Sequence, residues 1–441
     1  MASQPRTTPL RDAAVDVLSS PQLANAAAIT AVGIATLAGI LHRIVGWPAV
    51  IAALACLVLL GASSLLVRRR EFGWQGIFPV SLVVFLGWAM LSISWSQYQW
   101  STLGGLAYLL TFTFLGATIA LTRDTIQIVR IYGDSLRVFL VASIALEIFS
   151  GLLIDMPITF LGIRGNLAEL GPIEGLAGTR NQLGLIALLA LVTFATETRT
   201  KSVNRPRGWA SIGLAAVAIL LSRSPVTLLC LAVVMAAAAA LFVLRRIRPE
   251  LRTYAQLALL VATAIGAVFA WTLRSPIVSV LQANSELEYR VALWRRIWSL
   301  IALHPLEGWG WIGRWDPGLQ PFPAFSSTST SAANGYLDIW FQLGLVGLVI
   351  FVGAALLAFT RSWLLAGRKR SFVYAWPALV LVVLLSSALA ESSILIELGW
   401  LTLVVCSVKA AQELSWRTAL RSTGPLPPTP GPVVEGPPGN Q

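Results

Sequence analysis

A chain of 441 residues with 56% hydrophobic and only 12% charged residues, at a mean hydropathy of +0.75, is too apolar to be a water-soluble globule. Its formal net charge of +12 invites a nucleic-acid reading, but the basic residues fall in short connections between apolar windows, which argues against one. The composition implies an all-α polytopic membrane protein.

In chain order, residues 1–24 are polar and read as a cytoplasmic tail. The apolar stretch 25–41 has no small-residue cleavage site before the next window, so it is expected to stay as a first span. Further windows of about 15–25 residues fall at 47–67, 77–95, 101–121, 134–154, 181–197, 208–222, 225–244, 254–272, 334–358, 374–390 and 394–410. About twelve transmembrane helices result, nine over 25–272 and three over 334–410, with one long extracytoplasmic loop at 273–333. The remainder, 411–441, is a cytoplasmic tail; its last 20 residues hold seven prolines and four glycines and are expected to be disordered.

Orientation follows from 29 arginines and three lysines. Alternate connections carry Arg68, Arg69 and Arg70, then Arg123 and Arg130, then the basic runs 199–207, 245–252 and 361–370, which places them and both termini in the cytoplasm. Cys56, Cys230 and Cys406 all lie within windows, so they give neither a disulfide framework nor a metal site.

Nine arginines oppose that orientation: Arg43, Arg164, Arg180, Arg223, Arg274, Arg290, Arg295, Arg296 and Arg314. Arg180 opens the sixth span, Arg223 sits in a connection short enough to lie at the membrane surface, and Arg290 comes early in the long loop. An arginine holds phosphate well because its planar fork stays charged and donates two parallel hydrogen bonds. Several at headgroup depth suggest a lipid-linked phosphate or diphosphate, whereas each taken singly is equally compatible with anchoring to anionic headgroups.

Within the loop, Leu287, Val291, Trp294, Trp298 and Ile301 recur at helical spacing, which predicts an amphipathic helix lying on the membrane. The following segment, His304-Pro-Leu-Glu-Gly-Trp-Gly-Trp-Ile-Gly-Arg-Trp315, is a Trp-rich turn suited either to sugar rings or to an interfacial aromatic belt.

Four segments together resemble the O-antigen ligase and polymerase family of polytopic glycosyltransferases, over about residues 175–400. They are Gly178-Thr-Arg-Asn-Gln-Leu-Gly184; Ser222-Arg223; Arg290-Val-Ala-Leu-Trp294 with Pro305-Leu-Glu-Gly-Trp-Gly310; and Asn334-Gly-Tyr-Leu337 with Leu343-Gly-Leu-Val-Gly347. The resemblance implies a glycan donor on undecaprenyl diphosphate, transferred to a glycan or lipid acceptor hydroxyl without metal or other cofactor. Carried over, Arg223 and Arg290 hold the diphosphate with Arg180 as a third cation, and Asn334, Tyr336 and Glu391 complete the substrate site.

One position departs. Where the family usually carries a histidine that takes the acceptor proton, this chain has Ala333. Three readings stay open: a substitute base, for which Asp338 is nearest because it shares a helix face with Asn334; a variant that binds donor and turns it over poorly; or a shifted register with His304 as base. Glu169, Glu174, Glu286, Glu288, Glu307 and Asp316 are further outward carboxylates, Glu147 is the main ionisable residue at mid-span, and His42 reads as interfacial.

The expected protein is therefore a bacterial inner-membrane glycosyltransferase with its site facing outward. It partners with lipid-linked glycan and membrane lipids, and not with nucleic acid. Twelve spans and basic pockets would also suit a polysaccharide or lipid flippase, against which stands the concentration of candidate residues in a long loop rather than at mid-membrane.

Overall fold

The structure, a computed structural model, describes residues 15–68, 78–169, 171–272, 284–319, 321–322, 325 and 330–413. The Pro/Gly-rich tail and Arg274 lie outside the described residues.

Helices α1 (Pro21–Val67), α2 (Val80–Leu91), α3 (Gln99–Thr122) and α4 (Thr125–Ile148) cover the first five windows. α1 holds two of them, because helical geometry breaks at Gly46 (φ 77°, ψ 162°). Its arms fold back on each other: the Arg68 guanidinium donates to the Ser19 carbonyl, and Leu23, Ala24 and Ala27 line one cleft with Leu60, Gly61 and Ser64. Next come α5 (Arg180–Thr200), α6 (Arg205–Ser222), α7 (Pro225–Arg246) and α8 (Arg252–Thr272), then α9 (Asn284–Ile301) in the long loop, and finally α10 (Gly335–Arg368), α11 (Ala375–Ser387) and α12 (Glu397–Glu413).

Every predicted window falls on a helix, and the fold is all-α and polytopic. By length and composition α1, α3, α4 with its π-helical extension, α5, α7 and α10 can cross a membrane, while α2 and α11 are shorter apolar helices. α5 is the central one, with 72% of its apolar window buried against 28–50% in the other five.

Inside a bilayer every polar group must find a partner within the protein. Trp376 donates to Thr193 Oγ1 (3.0 Å), Trp400 to Thr113 Oγ1 (2.8 Å), and Tyr132 and Thr402 share a hydroxyl bond of 3.0 Å. Arg137 of α4 and Glu197 of α5 form a buried pair extended by Asp134 and Arg207.

The loop builds a second hydrophobic core on the end of the bundle. Leu293, Ile297 and Ile301 of α9 pack with Ile312, Trp315, Phe322, Phe325, Leu337 and Phe341. Two expectations are corrected here. The inner face of α9 is Arg290–Leu293–Ile297–Ile301, whereas Leu287 and Trp298 of the predicted stripe are exposed; the spacing matched two faces, and tertiary packing chose the one bearing an arginine. The Trp-rich turn is core rather than an open platform or belt, with Trp311 and Trp315 1% and 3% exposed.

This turn docks on a break in α10. Gly344 adopts φ 69°, and the chain on either side of it pairs with the turn: Trp309 N donates to Phe341 O (3.1 Å), Gly310 N to Gln342 O (2.8 Å) and Leu345 N to Pro305 O (2.9 Å). A Cβ on Gly344 would collide with the Leu306 carbonyl, so the glycines of the two segments are required by the same backbone contact.

Candidate functional site

At the pole where α5, α7 and α10 begin and α6 and α11 end, short polar segments meet. Each helix start is capped locally: Thr179 Oγ1 accepts from Gln182 N, Ser224 Oγ from Thr227 N, and Asn334 Oδ1 from Tyr336 N and Leu337 N at 3.0 and 3.1 Å. Such caps leave the side chains beside them, Arg180, Arg223 and Ala333, at the rim. The loop before α5 is tied down by Glu147, whose Oε1 accepts from Glu174 N (3.0 Å) and Gly175 N (2.7 Å).

Four of these segments are joined by one hydrogen-bonded chain. Ser224 Oγ donates to Asn181 Oδ1 (2.7 Å), Asn181 Nδ2 to Glu391 Oε1 (2.9 Å), and Arg290 Nη2 to the same Glu391 oxygen (2.8 Å). Arg290 Nη1 donates to Ala333 O (2.9 Å) and to Ala390 O, so one guanidinium joins α9, the start of α10 and the end of α11. Close approach makes this geometry available: a Cβ on Gly184 would collide with Thr227 Oγ1, which brings α7 and its Ser224 within reach of Asn181.

Arg180 pairs with Glu286 one turn before Arg290 on α9, with Nε 3.0 Å from Oε1. Arg223, in a left-handed conformation (φ 46°) at the end of α6, is exposed and makes no ion pair among the described residues. The three predicted arginines therefore lie on segments brought together at one end of the bundle, two of them already opposed by carboxylates. Of the other arginines expected to face outward, Arg164 pairs with Glu174 (3.3 Å) and Arg314 with Glu397 (2.9 Å), while Arg43, Arg295 and Arg296 are exposed.

The remaining expected residues take other positions. Asp338 is 1% exposed; Oδ1 accepts from Trp315 Nε1 (2.9 Å) and Gln342 Nε2 (2.8 Å), and Oδ2 from Ala332 N (3.2 Å). Both oxygens are committed, a placement that suits an anchor for the loop and not a base open to substrate. Tyr336 donates to Leu385 O (3.0 Å), tying α10 to α11, and Asn334 is occupied as a cap. Ala333 is half-buried with φ 47° and hands its carbonyl to Arg290.

His304 lies past the far end of α9, and the eleven residues from Arg290 to Ile301 alone rise roughly 16 Å. There it meets Glu307 Oε1 (2.9 Å), holding that carboxyl below the usual carboxylate range, and packs edge-on against Trp309. Among the described residues no three His, Cys, Asp or Glu side chains converge to hold a metal.

The sequence singles out neither Asn181, which stands inside the Gly178–Gly184 motif, nor Ser224, which directly follows the Ser222-Arg223 motif. Their signal was adjacency to Arg180 and Arg223; their pairing required the helix crossing at Gly184.

Residues 184–352 match the family model described as O-antigen ligase. This segment runs from α5 into α10 and contains Arg223, Arg290 and Ala333, but neither Asn181 nor Glu391. No curated protein matches the chain.

Proposed function

We propose, from the match of residues 184–352 to the O-antigen ligase family model, that the chain transfers or polymerises a glycan from an undecaprenyl-diphosphate donor onto an acceptor hydroxyl, at the outward-facing end of the bundle, during surface polysaccharide assembly. The observation that supports the reading is the gathering of Arg180, Arg223 and Arg290 on segments linked through Asn181, Ser224 and Glu391. When the sugar C1–O bond breaks, negative charge grows on the departing diphosphate. Fixed guanidinium groups stabilise that charge more in the transition state than in the ground state. Each such charge-assisted contact contributes roughly 1.5–3 kcal/mol.

Arg223 is the direct test, because it is exposed and unpaired among the described residues, so its replacement leaves the fold's hydrogen bonds intact. In vesicles supplied with lipid-linked glycan, Arg223→Ala is expected to lower transfer by tenfold or more while the protein melts as wild type does. Unchanged transfer in both Arg223→Ala and Arg290→Lys would remove the diphosphate site. Deleting the gene separates the two outcomes of the reaction: short surface repeats mark a polymerase, and long chains stranded on carrier lipid mark a ligase.

A further inference from the structure

The geometry points to Glu391 as the general base of this chain, the group that takes the acceptor hydroxyl's proton; the inference rests on the transfer reaction proposed above. A sugar hydroxyl needs a proton acceptor that is oriented, open to substrate and next to the leaving group. Glu391 Oε1 is fixed by two donors, Asn181 Nδ2 and Arg290 Nη2, which sets the plane of the carboxylate. Its Oε2 accepts no hydrogen bond among the described residues, and the side chain is 22% exposed. One oxygen is thus held and the other is available, the arrangement an oriented base requires.

The competing carboxylates do not combine these features. Asp338 is closed off with both oxygens engaged, and Glu307 lies at the far end of α9 beside His304. Glu286 is held by Arg180 alone, without the second neutral donor that orients Glu391.

The charged and titratable groups that reach Glu391 are Arg290 from α9 and, electrostatically, the Cys230 thiol of α7; Arg180, with its partner Glu286, and Arg223 are the chain neighbours of Asn181 and Ser224 in the same hydrogen-bonded chain. In the resting state Arg290 neutralises Glu391. Three of its five N–H donors are taken by Ala333 O, Ala390 O and Glu391, which leaves two for a phosphate oxygen. A diphosphate drawing on the same guanidinium weakens its hold on the carboxylate and makes the carboxylate a better proton acceptor. Donor binding therefore primes the base.

In the step itself the acceptor oxygen bonds to the anomeric carbon while its O–H bond breaks and the proton passes to Glu391 Oε2. The C1–O bond to the diphosphate breaks, and its electron pair leaves with the diphosphate. The proton then passes from Glu391 to water.

Glu391→Gln tests this because it preserves the shape and the Oε1 acceptor that Arg290 and Asn181 use. The measurements are binding of undecaprenyl diphosphate to the protein in nanodiscs, transfer from extracted lipid-linked glycans, and the pH profile of kcat/KM. Unchanged binding, transfer reduced about 10²–10⁴-fold and loss of the acid limb of the profile are expected. Should the variant fail to fold, formate added to Glu391→Ala is expected to restore part of the transfer in a concentration-dependent way. Wild-type transfer by Glu391→Gln, loss of diphosphate binding instead of turnover, or the same loss in Glu286→Gln would overturn the assignment. Failure of the underlying reaction would show separately, as no transfer by the wild-type protein, and failure of the diphosphate site as full transfer in the Arg223 and Arg290 variants.

Discussion

Replacing Asp338 by asparagine separates an anchor from a catalyst. The carboxylate receives three donors, Trp315 Nε1, Gln342 Nε2 and Ala332 N, in a site without water access. In its better orientation an asparagine keeps the two bonds at Oδ1 and turns an amide toward the Ala332 N–H, so one buried donor is left unpaired at about 1–3 kcal/mol. Asp338→Ala leaves all three unpaired and costs about 3–9 kcal/mol. The damage spreads along the chain, because Ala332 O in turn accepts from Trp294 Nε1 (2.9 Å) on the helix that carries Arg290. Thermal unfolding in detergent, hydrogen exchange at the 332 amide and transfer rate form the assay. The anchor reading expects earlier melting and faster exchange for Asp338→Asn, with transfer by the folded fraction within tenfold of wild type. A variant that melts as wild type does, yet loses transfer by 10²-fold or more, would refute it and make Asp338 the base.

Two further perturbations test the packing and the unusual alanine. Gly344→Ala forces a Cβ into the Leu306 carbonyl at a positive φ; it should cost more than the roughly 1–2 kcal/mol of the conformation alone and release the Trp-rich turn, seen as proteolysis within 304–315. Ala333→His places an imidazole at a left-handed position that histidine tolerates, beside the Arg290–Glu391 pair. With Glu391 already serving as base, turnover should stay within a few-fold of wild type, and a rise of tenfold or more would transfer the role to position 333.

The membrane class, the helix positions and the family resemblance were legible in the sequence, because hydropathy and turn chemistry are local properties that a bilayer reads along the chain. The arginines that oppose the expected orientation stand out in the sequence for a similar reason: charge against the orientation rule is costly. What Arg290 does with its donors was not legible, since Ala333, Ala390 and Glu391 are brought to it only by helices packed side by side. Periodicity likewise could not choose between the two faces of α9, nor tell that Trp311 and Trp315 fill a core. Asp338 and Glu391 are both outward carboxylates on paper. Tertiary packing alone closes the first within a ring of donors and leaves one oxygen of the second open, and that difference in burial decides which of them can meet a substrate.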